Sequence, residues 1–334
     1  MWIPLDRVSH LNILVTGYAS GLEPTLGKVI GLSNNGPSMQ QLLKRTIINL
    51  VAPLAALVAC ASHQSSARTP AGPSDMAAAH GGSPIDAKLT SVLAGSQRTA
   101  EERARDVYRH PRETLEFFGV QEKMTVIELS AGRGWYTAVL APLLGPSGAL
   151  TVTAADPNGP ADSEGTKNAK FLAERLGRDP ATFGNVTIRT VDWSQKGVSL
   201  GPDSSADMVV TFRNWHGWVN AGVIDNVLSA ALRVLKPGGV LGVEEHRAKP
   251  DGSSDPKVIG ESGYVPESAV LRAAEAAGFR FVAKSEVNAN PLDTKDYPKG
   301  VWTLPPTLRL GDVDREKYVR IGESDRMTLK FIKP

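Results

Sequence analysis

The stretch Val126–Thr137, Val-Ile-Glu-Leu-Ser-Ala-Gly-Arg-Gly-Trp-Tyr-Thr, constrains this chain more than any other. An apolar run ends in an acid and breaks into a turn of small residues, the pattern of a strand, a tight loop and a helix. Gly132 and Gly134 carry no Cβ, so the loop backbone turns sharply and lets a ligand approach, while the first amides of the following helix stay unpaired and face outward. Such a unit cradles a cofactor. Glu128, at the carboxyl end of the strand, suits an ammonium or hydroxyl group better than a pyrophosphate. The other reading of the same residues is a strand-to-helix turn that binds nothing.

At 334 residues the chain has room for one large or two ordinary domains, and 41% hydrophobic residues suffice for a sizeable core. Its formal net charge of +2, with 37 Lys and Arg against 35 Asp and Glu, shows no basic excess, and aromatic residues make up only 6%. Nothing therefore points to a nucleic-acid partner. Ile259-Gly260-Glu261-Ser262 recurs as Ile321-Gly322-Glu323-Ser324, but one short match does not define a repeat.

Cys60 is the single cysteine, which rules out an intramolecular disulfide. From Met39 the order is a basic start, an apolar core over Thr46 to Val58, and small residues at Ala59-Cys60, the layout of a secretory signal too short to span a bilayer. Leu57-Val58-Ala59-Cys60 resembles the bacterial lipobox, whose cysteine is acylated. The resemblance implies a lipoprotein of the bacterial cell envelope, exported to the periplasmic side and touching the membrane through that anchor alone. Ala61 after the cysteine favours the outer membrane. The expected organisation is an upstream extension or mis-assigned start over 1–38, a signal peptide over 39–59, and acylated Cys60 with a disordered linker over 60–84. A folded domain over 85–334 follows, with an insertion at 288–312. Met39 is then the expected initiator, with a genuine extension carrying Ile13-Leu14-Val15 as the alternative. His63 and His80, in the linker, read as solvated. The competing reading of Cys60 is a chance cysteine at the end of a buried helix.

Beyond the linker, helical pattern runs from Ile85 to Gly119 with a break at His110-Pro111, and strands are expected at Met124 to Leu129, Ala149 to Ala155, Val186 to Val191, Ala206 to Phe212 and Val240 to Val243. Tyr136, Leu140 and Leu143, spaced four and three apart, give the helix behind the glycine loop one apolar face, and a further helix is expected over Phe171 to Leu176. Val223, Ile224, Val227, Leu228, Ala231, Leu232 and Leu235 fall at helical spacing, and Leu235-Lys236-Pro237-Gly238-Gly239 ends that helix abruptly. A sixth strand over Phe279 to Val287, a proline-rich stretch from Asn288 to Asp312, a helix over Asp314 to Ile321 and a last strand over Met327 to Ile332 complete the chain. The proline-rich stretch reads as a lid or as a mobile loop. Arg213-Asn214-Trp215-His216 and Glu244-Glu245-His246-Arg247 both fall at the carboxyl ends of strands, where open α/β sheets bind ligands. His216 is the first candidate general base. Glu245 beside His246 reads either as an acid that orients an imidazole or as part of a divalent metal site; no metal is expected, for want of further ligands. Tyr264 reads as a border of the substrate pocket or as a surface tyrosine.

Two motifs together carry a family resemblance. Glu128 with Ser130, Ala131, Gly132 and Gly134 is similar to motif I of the class I S-adenosylmethionine (SAM)-dependent methyltransferases, with serine in place of the first glycine. Leu-Lys-Pro-Gly-Gly between a helix and an apolar strand is similar to their fifth-strand entry. The resemblance, which extends to a group of secreted bacterial predicted methyltransferases, covers Ala104 to Lys333. It implies an α/β fold with a Rossmann-like seven-stranded sheet, the last strand antiparallel and helices on both faces, and SAM as cofactor. It further implies that Asp156 receives the ribose hydroxyls, or else caps the loop Pro157-Asn158-Gly159. Asp192 would receive the adenine amine beside Trp193, with a turn aspartate and a core tryptophan as the alternative. Arg213 and Asn214 would face the cofactor, His216, His246 and Glu245 the chemistry on a small-molecule substrate, and Tyr108, Arg109 or His110 the methionine carboxylate. Export opposes this reading, because SAM is made in the cytoplasm. The second hypothesis is a lipid-anchored ligand-binding protein that keeps the fold without catalysis. An NAD-type enzyme is disfavoured by Glu128, which precedes the loop where a pyrophosphate would approach.

Overall fold

A computed structural model describes residues 84–334; the expected extension over 1–38, the signal, Cys60 and the linker up to residue 83 with its two histidines lie outside the described residues. Strand β1, Thr125–Leu129, is buried from Val126 to Leu129 because both of its faces are covered. Val126 packs with Met208, Val210 and Phe212 on one face of the sheet, and Ile127 and Leu129 pack with Val209, Leu241 and Val243 on the other. Burial on both sides is what parallel strands under crossover helices require.

Four short helices precede β1: α1 (Pro84–Ala94), α2 (Ala100–Arg103), α3 (Asp106–Arg109) and α4 (Pro111–Phe118). Then follow α5 (Thr137–Leu144), β2 (Ala149–Ala154), α6 (Glu164–Arg178), α7 (Pro180–Phe183), β3 (Val186–Thr190), β4 (Ala206–Phe212), α8 (Trp215–Asn220) and α9 (Ile224–Val234). The rest is β5 (Leu235–His246), α10 (Pro256–Ser262), α11 (Glu267–Ala276), β6 (Arg280–Ser285), α12 (Arg315–Ile321) and β7 (Arg326–Ile332). The strand order is β3-β2-β1-β4-β5-β7-β6, with β7 antiparallel to both neighbours and the other pairings parallel. This is the seven-stranded sheet that the resemblance implies, with its last strand antiparallel.

Three elements differ from their sequence expectation for physical reasons. Strand β5 runs from Leu235 to His246 instead of Val240 to Val243, because Leu235 already pairs with Ala206 of β4 and the five residues expected as a turn are taken up by a register shift between Ala206 and Met208. The helix expected over Phe171 to Leu176 begins at Glu164, because its first turns bury only the small or polar Thr166 and Ala169 and so show no apolar period. Helix α5 is buried nearly all round rather than on one face, since α1 and α7 cover the side away from the sheet.

Gly242 in β5 is set by packing. A Cβ there would lie 2.8 Å from the ring of Phe118, which is fully buried in α4. Gly242→Ala is expected to cost about 1–3 kcal/mol by overpacking, read as a lower urea midpoint at unchanged slope; an unaltered midpoint would contradict this contact.

The segment between β6 and β7 matters most for function. β6 ends, and antiparallel β7 begins, at the edge where the parallel strands have their carboxyl ends, so topology lays residues 286–325 over that edge. Apart from the turn Gly300–Thr303 and α12, it is irregular, as its prolines require. It is nevertheless packed: Asn288, Asp293, Val301, Thr303 and Leu304 are all buried. The Tyr264 hydroxyl bonds both Asp293 carboxylate oxygens at 2.9 and 3.0 Å, and Asn288 Nδ2 donates to Thr114 and Thr328 at 2.8 and 2.9 Å. Tyr264 is thus a buried anchor of this strap and not the pocket border or surface residue expected from sequence.

Candidate active site

The loop after β1 has the backbone that its residue types allow. Ser130, Gly132 and Gly134 have φ of 50°, 60° and 78°. At Gly132 a Cβ would meet nothing within 4 Å, so its open side faces the cleft; at Gly134 it would lie 2.8 Å from Leu172. Ser130 tolerates the left-handed position expected for a glycine, and its amide donates to Thr153 Oγ1 at 2.7 Å. Beside this loop lies a cleft of about 200 Å³ lined by Ser130, Gly132, Ala154, Ala155, Asn168 and Trp193, with Asn214 at its far wall. The indole Nε1 of Trp193 reaches Ser130 Oγ at 3.4 Å, holding the ring at the cleft. Asn214 donates from Nδ2 to the Leu129 carbonyl at 3.0 Å and to Thr211 Oγ1 at 3.1 Å, which leaves its carbonyl oxygen for a ligand.

Of the residues assigned to the cofactor, Ser130, Gly132, Trp193 and Asn214 line this cleft, whereas Glu128, Ala131, Gly134, Asp156, Asp192 and Arg213 are not among its lining. Glu128 points from β1 toward α5, is 2% exposed, and accepts from the Thr137 hydroxyl at 2.6 Å. The hydroxyl it receives is the protein's own. Asp156 is exposed and accepts from the Asn158 amide at 2.8 Å, capping its loop as the alternative reading had it. Asp192 is likewise exposed, closing a turn onto the amide and hydroxyl of Ser194 at 3.0 and 2.7 Å. Asx turns engage one oxygen of Asp156 and, with Gln195, both oxygens of Asp192, whereas Asn168 and Ala155, which do line the cleft, carry no sequence signal.

Burial pushes the Glu128 carboxyl up to about 8, although the Thr137 bond lowers it. Its folded pKa lies above the ordinary value of 4.5, so its contribution is full below about 4.5 and is lost as pH rises through about 8. Glu128→Gln is therefore expected to gain a few kcal/mol on the wild type in urea unfolding at pH 8.5 compared with pH 4. Parallel pH profiles would sink this assignment.

A second cleft, of about 280 Å³, lies on the other side of the Arg213–His216 segment. Arg105, Arg109, Arg213, His216, His246 and Trp302 are among the residues that line it. Phe212 and Glu244 are register partners in the parallel β4–β5 pair, which sets the residues just beyond them side by side. Fully buried Glu245 accepts from the Trp215 amide at 2.5 Å, from the His246 amide at 2.8 Å, and meets His216 Nδ1 at 3.0 Å. A carboxylate on Nδ1 holds the proton there and leaves Nε2 as the basic atom. Sequence had paired this acid with its neighbour His246; the strand pairing gives it to His216. His246 instead meets Ser324 Oγ at 2.6 Å, and burial, with His216 and Arg213 beside it, pushes its pKa well below the usual histidine range. It is neutral at pH 7. The strap supplies the roof, with Trp302 edge-on to the His216 ring at 5.8 Å.

Ligand atoms of His216, Glu245 and His246 lie within 4.8 Å of one another, a spacing that suits a cation. The charge around them does not. Three arginines line the same cleft, and Glu245 already takes three hydrogen bonds.

Beneath the cleft, Glu244 accepts from Tyr136 at 3.0 Å and pairs with Arg213 at 2.8 Å and Arg326 at 3.1 Å. Glu323 pairs with Arg105 at 2.6 Å, Arg109 at 3.1 Å and Arg326 at 3.3 Å. Burial alone would raise the Glu323 carboxyl, but Arg109, Arg326 and Arg105 hold it down at about 2. Arg109 is lowered to about 9 by burial and by neighbouring Arg213, and remains charged at pH 7. Of the residues assigned to the methionine carboxylate from sequence, Arg109 alone lines the cleft; Tyr108 packs against Gly322.

No protein-family model matches the chain, and no curated protein matches it. Among solved structures it is similar to a SAM-dependent methyltransferase from Aquifex aeolicus, at 21% identity over 55% of this chain and 87% of that one, with a TM-score of 0.43. It is also similar to the [4+2]-cyclase SpnF, at 17% identity over 72% and 86% with a TM-score of 0.48. An arsenic(III) S-adenosylmethionine methyltransferase from Chlamydomonas reinhardtii follows at 19% identity over 75% and 73%, with a TM-score of 0.40. The strand order and pairing directions, not these likenesses, carry the fold assignment.

Proposed function

We propose that this chain is a SAM-dependent methyltransferase acting on a small-molecule or envelope substrate. The observation that carries the reading is the placement of a glycine-loop cleft with an indole wall directly across Arg213–His216 from a histidine held by a buried carboxylate. The two clefts together have the capacity of a small-molecule site. The fit to the cofactor rests on the open face of Gly132, on Trp193, whose flat face suits an adenine, and on Ser130, Asn168 and the free carbonyl of Asn214. SAM bound there would supply an electrophilic methyl on a sulfonium, the C–S pair leaving to sulfur as the acceptor's lone pair forms the new bond. The protein's part is alignment along that line, removal of a proton by His216 Nε2 from a protic acceptor, and exclusion of water by the strap.

Calorimetric titration of SAM and of S-adenosylhomocysteine into the full chain tests this. Micromolar binding, weakened at least tenfold in Trp193→Ala, is expected. No heat from folded protein at several temperatures would overturn it. We further propose that Cys60 anchors the protein in the cell envelope, the reading supported by Leu57–Cys60. An alkyne fatty acid fed to a bacterial host is expected to label the wild type and not Cys60→Ala.

A further inference from the structure

We infer that the second cleft binds an oxyanion of the methyl acceptor, a carboxylate or phosphate attached to an apolar body. This rests on the methyltransferase reading for the word acceptor, but not for the anion. Arg105, Arg109, Arg213 and Arg326 form one connected cluster whose ion-pair partners among the described residues are Glu244 and Glu323, and with the Glu245 carboxylate beside His216 counted as well one positive charge is left over. Three of the four line the cleft. Taking charge out of water is costly unless it is paired, and a net-positive cavity recovers that cost when an anion enters. The geometry agrees. Arg105 donates to Glu323 through Nε, and its Nη2 is buried with no partner among the described residues. Arg109 likewise uses Nε on Glu323. Guanidinium forks with a committed Nε and outer nitrogens turned elsewhere suit a planar or tetrahedral oxyanion.

The remaining walls describe the rest of the molecule. Trp302, Val301, Pro305 and Pro306 make an apolar roof, which suits a ring or a short hydrocarbon. His216, whose Nδ1 is held by Glu245, lines the same space and suits a protic nucleophile on that body. The acceptor is then a small hydroxylated, thiolated or amino-bearing acid with an apolar frame.

The experiment titrates benzoate and phenyl phosphate into the full chain at low ionic strength, with and without saturating S-adenosylhomocysteine, and uses benzyl alcohol as the neutral comparison. Saturable binding of at least one oxyanion alongside S-adenosylhomocysteine is expected, at least tenfold weaker in Arg105→Gln, partly restored in Arg105→Lys, and weakened by salt. Whichever oxyanion binds more tightly identifies the group. Arg105→Gln is mild because Glu323 keeps Arg109 and Arg326, and an unchanged urea midpoint would show that the variant is folded. Equal binding of benzyl alcohol, or no binding of either oxyanion, would overturn the inference. So would strict competition between benzoate and S-adenosylhomocysteine, because the arginines would then hold the cofactor's own carboxylate. If S-adenosylhomocysteine does not bind but benzoate does, with the same dependence on Arg105, the anion site stands and methyl transfer falls.

Discussion

The Glu244→Gln variant is expected to lose about 3–5 kcal/mol of unfolding free energy, the cost of breaking a buried ion pair from one side. Glu244 is fully buried, and its carboxylate faces Arg213, Arg326 and the Tyr136 hydroxyl. A glutamine keeps an acceptor for Tyr136 but, among the described residues, leaves Arg213 without an ion-pair partner and Arg326 with Glu323 alone, raising the positive surplus by one. Urea unfolding of the variant, and of Glu244→Gln with Arg213→Met, measures this. The second substitution is expected to restore part of the loss, because it removes the cation left unpaired. Additive losses would show that the two side chains are not coupled. The same network sets an acid limit. Glu323 has its pKa depressed from 4.5 to about 2, so its contribution is present above about 4.5 and is lost as pH falls through about 2.

The second large effect belongs to His216. His216→Ala is expected to lower the single-turnover rate of methyl transfer to 4-hydroxybenzoate by about 10²–10⁴-fold, the usual worth of a positioned general base. Affinity for S-adenosylhomocysteine should stay within about twofold, since His216 does not line the glycine-loop cleft. Glu245→Gln is expected to fall between wild type and His216→Ala. The amide still meets Nδ1, but a donating amide group turns the imidazole toward the tautomer whose Nε2 carries the proton. Equal loss for acceptors that are already ionised and for those that are not would show that His216 acts by packing, with proton removal elsewhere. His246 is no substitute base for a structural reason: its Nδ1 is tied to Ser324, and burial beside Arg213, Arg326 and Arg109 keeps it neutral but weakly basic.

The strap over residues 286–325 connects these effects. It contributes the roof residue Trp302, the counter-charge Glu323 and the partner Ser324, and it is tied down by Asp293 to Tyr264, by Asn288 to Thr114 of α4 and Thr328 of β7, and by Asp325 to Arg247. The stability of this segment and the charge state of the cleft therefore depend on overlapping sets of residues. A change that loosens the strap also strips counter-charge from the arginines.

What the sequence determined by itself was local. The strand, the turn at Gly132 and Gly134, and the helix behind them follow from twelve consecutive residues whose backbone needs are met by their own side chains. The helix ending before Leu-Lys-Pro-Gly-Gly and the apolar strand behind it follow in the same way, so the strands were legible along the chain and the sheet with its antiparallel last strand through the resemblance they carry, while the strand order came from the structure. Strand ends also located His216 and Glu245 at one edge, because in a parallel sheet every carboxyl end lies there. Only the tertiary structure decided which groups meet. Parity along β1 turned Glu128 toward Thr137 and away from the cleft, and neighbouring amides satisfied Asp156 and Asp192 in their own turns. Register between β4 and β5 gave Glu245 to His216, twenty-nine positions away, in preference to the adjacent imidazole. The arginine cluster drew residues from α3, the end of β4 and the start of β7, more than two hundred positions apart, onto Glu323 and Glu244. Backbone conformation and apolar period are properties of a few adjacent residues and are written along the chain. The pairing of buried charges is a property of the whole fold, because it depends on which distant segments exclude water from the same point.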